Sequence, residues 1–108
     1  MKISEFLRLV QENIATPERH CIGARARTAR GQSCEPTDER AVCWCILGSV
    51  ERLSIFVSDV FVQSALDRLT NDPIFGYVGL VSSNDHRSHL TFMAMLNQAI
   101  TNIEASGA

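Results

Sequence analysis

From Ala41 to Phe56 the chain reads AVCWCILGSVERLSIF, and wound as a helix this stretch is apolar on most sides. Val42, Cys45, Ile46, Ser49, Leu53 and Phe56 fall on one stripe, and Ala41, Trp44, Leu47 and Gly48 cover much of the rest. A helix with so little polar surface has to be surrounded by other elements, so the segment predicts a buried central hub with Trp44 as its anchor. Pro36-Thr37-Asp38-Glu39 supplies the start, a capping hydroxyl followed by two acids in the first turn. Gly48 inside it costs about 1 kcal/mol against alanine, which predicts close approach of a second helix at that point.

Three more segments have helical spacing. Ser4 to Ala15 carries Phe6, Leu7, Leu9, Val10 and Ile14 on one broad stripe and ends at Thr16-Pro17. Ser58-Asp59 caps VFVQSALDRLT, which Asn71-Asp72-Pro73 stops. Ser88 caps HLTFMAMLNQAITNI. Between them, Ile74 to Val81 (IFGYVGLV) reads as extended or irregular buried chain, and Ser82-Ser83-Asn84-Asp85 as turn chemistry. Arg25 and Arg27 alternate with Ala24 and Ala26, as a short extended piece or a single helical turn would. The expectation is one mainly α domain over residues 1–108, a compact bundle of about four helices. It leaves room for one short β element, at Cys21 to Arg27 or at Phe75 to Val81.

Three stretches together resemble an uncharacterised family of small actinobacterial, proteobacterial and phage proteins, a domain of unknown function. GQSCEPTD, from Gly31 to Asp38, leads into AVCWCILGS, which is similar to that family's A-x-x-W-C-x-x-G-[AS] signature. Ser83-Asn84-Asp85 and the helix ending MLNQAI are similar to its F-N-D turn and closing helix, with Ser83 where an aromatic is usual. The resemblance covers Gly31 to Ile100. It implies a helical domain of phage or prophage origin and supplies no activity.

Four arginines, Arg19, Arg25, Arg27 and Arg30, lie between Pro17 and Pro36 against only Glu18 and Glu35. This is the one concentration of positive charge, and it reads as a solvated surface or as a binding face. Arginine is enriched at binding hot spots because its guanidinium makes planar, multidentate contacts. A net charge of -2 argues against indiscriminate binding to nucleic acid or anionic membrane. The segment also lacks interleaved aromatics for base stacking.

Asp85, His86 and His89 are the best candidate metal set, since a helix through them would bring the two imidazoles one turn apart, with His20 and Cys21 able to approach from elsewhere. Cys43 and Cys45, two apart on a helix, would face opposite sides and could not share a metal. Nucleophile, zinc-protease and phosphate-loop patterns are absent. No catalytic residue or cofactor is assigned.

The expectation is a small non-enzymatic interaction or regulatory protein whose partner is another protein, with a homodimer as one form. By the resemblance it is phage-related, for example an inhibitor of a host defence system. The alternatives are a metal-binding or catalytic domain centred on Asp85, His86 and His89, and a nucleic-acid accessory protein using Arg19 to Arg30. With no apolar leader in MKISEFLRLVQEN and no membrane-length apolar run, the expected location is the cytoplasm, with four reduced cysteines.

Overall fold

The computed structural model describes every residue from Met1 to Ala108. Five helices, α1 (Ile3–Asn13), α2 (Ile46–Leu53), α3 (Asp59–Thr70), α4 (Leu80–His86) and α5 (His89–Ala105), surround a core continuous with a two-stranded ribbon, β1 (Ala26–Thr28) and β2 (Ala41–Trp44). The chain is mainly α with a short β element. None of the helices is long and apolar enough to cross a membrane.

Of the stripe that the spacing predicts, Phe6, Leu7, Val10 and Ile14 are buried, while Leu9 is exposed. α1 begins one residue early, at Ile3, where the Glu5 carboxylate accepts the Lys2 backbone N–H at 2.8 Å. α3 and α5 start where their serines predict. Ser58 Oγ accepts the Phe61 N–H at 3.2 Å, and Ser88 Oγ accepts the Thr91 N–H at 3.1 Å. α5 lays Phe92, Leu96, Ala99, Ile100 and Ile103 into the core, and each such side chain withdrawn from water contributes about 1.5–3 kcal/mol when it is large. Arg8 of α1 ties the outer edges together, bonding Glu104 at 2.6 Å and Asn97 at 2.7 Å.

The hub segment is not one helix. Ala41–Trp44 is a strand paired antiparallel to β1, with Ala26 opposite Trp44 and Arg27 opposite Cys43. Asp38 diverts the chain before it, because its carboxylate accepts the Arg40 backbone N–H at 2.8 Å and so closes a turn where a helix would need to propagate. α2 starts at Ile46, with Cys45 as its cap and Cys45 Sγ accepting the Gly48 N–H at 3.4 Å. Gly48 does mark a close approach, but of the β1 side of the ribbon rather than of a helix.

Residues 74–85 differ in part: 76–79 are irregular as expected, but of Ile74 to Val81 only Phe75 and Leu80 are buried, with Ile74, Tyr77, Val78 and Val81 exposed. Pro73–Phe75 form one 3-10 turn, and the chain passes through Gly76 and Gly79, both at positive φ, into α4. The Ser-Ser-Asn-Asp run is therefore helical, and Ser83 and Asn84 are fully buried within it.

Candidate functional site

The arginine segment folds as an irregular strap followed by a hairpin. β1 turns back at Thr28–Gly31, where the Gly31 N–H donates to Thr28 O at 2.9 Å, and the returning chain pairs through the Cys34 N–H to Ala26 O at 3.1 Å. Arg30 stands on this tip, exposed, with no hydrogen bond or ion pair within the fold. With Thr28, Ala29, Gln32 and Arg40 it lines a hollow of about 340 Å³.

The other arginines have structural employment. Arg25 is held between Glu51 at 2.6 Å and Glu35 at 3.2 Å, so its charge is balanced. Arg27 donates from each terminal nitrogen, to the carbonyls of Gly31 at 3.0 Å and Ile22 at 3.4 Å, and its charge has no carboxylate partner. Arg19 donates to Asn13 O at 2.7 Å and stands over the Trp44 ring, as does Arg52, each 5.3 Å from the ring centroid. Trp44 itself is buried, and its Nε1–H donates to Pro36 O at 2.9 Å. The segment is thus more than a solvated surface, and of its four arginines Arg30 alone is uncommitted. Arg40, from the β2 side, pairs with Asp38 at 3.0 Å and holds that carboxyl down to about 2.

The three candidate metal ligands are not brought together. His86 turns back along α4, its Nδ1 donating to Ser82 O at 3.0 Å, and is exposed. Asp85 Oδ1 accepts from Asn84 Nδ2 at 3.0 Å and lies 3.5 Å from the Gly23 N–H. His89 begins α5 instead of sharing a helix with His86, because α4 ends at His86 and the chain is extended at Arg87 and Ser88. No group of three or more His, Cys, Asp or Glu side chains in the fold is placed to hold a metal ion.

What His89 does meet is His20, from across the fold. The two Nδ1 atoms are 2.8 Å apart, His20 Nε2 is 2.6 Å from Asn84 Oδ1, and His89 Nε2 is 3.0 Å from Ala15 O. Phe92 stacks on the His20 ring, with centroids 5.3 Å apart. Burial pushes His20 below its ordinary value of 6.5; the Asn84 hydrogen bond opposes this, His89 adds to it, and Asp85 opposes it. Asn84 is the residue that sequence reasoning missed. Its buried amide also accepts the Ile46 N–H at 3.1 Å and donates to Cys21 O at 3.3 Å, so it joins α4 to α2 and to the strap.

The four cysteines are unpaired. Cys21 is pushed up to about 12 by burial, by its hydrogen bond with Cys43 and by the nearness of Cys43 and Cys45. Burial raises Cys45 as well, against the N–H groups of Gly48 and Leu47. These two thiols stay protonated at neutral pH, and a thiol is a poor nucleophile beside a thiolate. Cys43 lies in β2 and Cys45 is the cap of α2, so the two are not on opposite sides of one helix. Compared with known protein families, curated proteins and solved structures, the chain matches none.

Proposed function

We propose that this is a small, non-enzymatic interaction protein that binds an acidic surface of another protein through the tip of the β1 hairpin. The observation that carries this reading is Arg30, an exposed guanidinium with no internal partner beside a hollow that it shares with Arg40. The planar fork of a guanidinium makes paired hydrogen bonds to a carboxylate, so less freedom is lost for each bond than with a lysine. Arg27 adds charge without a carboxylate to cancel it, while Arg25, spent on Glu51 and Glu35, drops out of the face. The raised thiols of Cys21 and Cys45 give no support to an enzyme. Action in the cytoplasm, and a role as a phage-borne inhibitor of host defence, are part of the same reading and rest on the sequence alone.

The test is capture of a partner from lysate by the wild-type chain, followed by affinity measurement with Arg30→Glu and Arg25→Ala. Arg30→Glu should keep the fold and weaken binding by about tenfold or more, as loss of a hot-spot arginine does. Arg25→Ala should leave affinity nearly unchanged. Unchanged affinity in a folded Arg30→Glu protein would remove the hairpin tip from the interface. Tight, steeply salt-dependent binding of random duplex DNA by the wild type would favour nucleic acid instead.

A further inference from the structure

Between His20 and His89 the hydrogen-bond pattern sets the number of protons. Asn84 Oδ1 faces the Ile46 backbone N–H, which can only donate, and Asn84 Nδ2 faces Cys21 O and the Asp85 carboxylate, which only accept. The amide orientation is therefore forced by its partners, and His20 Nε2, against Asn84 Oδ1, has to carry a hydrogen. His89 Nε2 faces the Ala15 carbonyl, another obligate acceptor, so it carries one as well. Two neutral imidazoles have no further hydrogen to give, yet their Nδ1 atoms are 2.8 Å apart. At that distance two bare lone pairs repel, two N–H groups collide, and a single hydrogen makes a good bond.

We propose that His20 and His89 hold one shared proton between their Nδ1 atoms, and that this proton is a latch fastening the arginine-bearing strap to the start of α5. The pair then carries three ring hydrogens and one positive charge. The depression of His20 places the proton on the His89 side, with His89 donating to His20. The charge has a counterion: Asp85, on α4, is the carboxylate that acts on His20. The other faces of the pair are uncharged, being Phe92 from α5, Asn84 from α4 and the Ala15 carbonyl beyond α1. Arg19, the neighbour in sequence, turns its guanidinium away to Asn13 and Trp44.

The latch is closed only between two limits. Loss of the shared proton at high pH leaves two lone pairs in contact, and uptake of a second at low pH leaves two N–H groups in contact. Either opens the link between the strap and α5, while the strap's Cys21 N–H stays on Trp44 O at 3.1 Å. The fold thus contains a pH-sensitive joint at the base of the arginine segment, and the assignment stands whether or not that segment binds a partner.

The experiment is proton–nitrogen correlation NMR on the full chain with isotope-labelled histidine, followed from about pH 5 to about pH 9, where imidazoles change charge. At neutral pH both Nε2 atoms should appear as protonated nitrogens. The two Nδ1 atoms should report one hydrogen between them, and the pair should take up its second proton only below the ordinary histidine range. Protection of residues 20–25 from hydrogen exchange, taken relative to the intrinsic amide rate at each pH, should fall at both ends of the range. In His89→Gln the coupled behaviour of His20 should vanish and leave a single simple titration. Two rings titrating independently as free histidines, or a neutral pair with unchanged protection of residues 20–25 across the range, would overturn the proposal. So would displacement of the proton from both rings by stoichiometric zinc at micromolar concentration, which would make the pair a metal ligand set.

Discussion

The backbone carbonyl of Arg25 occupies the space that a side chain on Gly48 would need: a Cβ built at Gly48 lies 1.8 Å from the Arg25 oxygen. The same oxygen accepts the Cys45 N–H at 3.2 Å, so it cannot withdraw without losing the bond that sets where α2 begins. An ordinary helix glycine gains about 1 kcal/mol when replaced by alanine. Gly48→Ala should do the reverse and cost about 1–3 kcal/mol or more, as overpacking against rigid backbone does. Urea unfolding reads the sign directly. An alanine variant as stable as the parent would mean that the strap does not cross α2 here.

Trp44 gives a second stability test. Its ring is buried and its Nε1–H is bonded to Pro36 O, so Trp44→Ala should cost about 3–5 kcal/mol, as large-to-small changes in a core do. Trp44→Phe should cost much less, because Arg52 also donates to Pro36 O at 3.2 Å and keeps that carbonyl partnered. The native emission should be blue-shifted and move to the red on unfolding. A red-shifted native spectrum would contradict the burial.

The stretches whose structure could be read from sequence are those whose structure is decided locally. The caps at Ser58 and Ser88 and the stripe of α1 depend on residues within a turn or two of one another. The burial of Trp44 also followed from composition, although its secondary structure did not. Ala-Val-Cys-Trp of β2 fits a buried helix as well as a strand, and what decides between them is pairing with Ala26 to Thr28, which no local pattern encodes. Asn84 was hidden for the same reason. Ser-Ser-Asn-Asp is good turn chemistry, and a buried helical asparagine is tolerated here only because Ile46, His20 and Cys21 arrive from elsewhere to satisfy it. Those partners are invisible along the chain, as is a histidine pair whose members are 69 residues apart.

Thiol chemistry follows from burial. With Cys21 held at about 12 and Cys45 raised and buried, alkylation of these two in the native protein at neutral pH should be slower than that of a free cysteine by at least about tenfold. In denaturant all four should react. Rapid labelling of Cys21 in the folded chain, identified by peptide mass, would show that the strap opens readily or that its thiol is not shielded.

Acidification should weaken the fold through His20. Its value in the native protein lies below the ordinary 6.5, so the unfolded chain binds a proton that the native chain refuses. The stability that neutral His20 contributes is present above 6.5 and is lost as the pH falls through its lower native value. The slope for one such group cannot exceed about 1.4 kcal/mol per pH unit. Denaturation midpoints measured across this range should fall on the acid side, and His20→Gln should flatten the dependence. A slope unchanged in a folded His20→Gln protein would assign the effect to other groups.

Asn84 allows a test of hydrogen bonding in the core. Asn84→Leu keeps the branched shape in a fully buried site, so no cavity is left; the loss combines the groups left unpaired with some overpacking by the larger methyls. The unpaired groups are the Ile46 N–H, which as the first amide of α2 has no partner within its own helix, and the Cys21 carbonyl. Each buried group left unpaired costs about 1–3 kcal/mol, so the variant should be destabilised by several times the effect of a surface substitution. His20 Nε2–H loses its acceptor in the same step, which frees the ring to change tautomer and give its hydrogen to the Nδ1 side. The pair could then be bonded while neutral. In a folded Asn84→Leu protein, therefore, the requirement for a shared positive charge should disappear, and His20 and His89 should remain coupled at a pH where the wild-type latch has opened. Parent-like stability would show that the asparagine is not the junction of α4, α2 and the strap. An unchanged histidine titration in the folded variant would show that Asn84 does not fix the tautomer of His20.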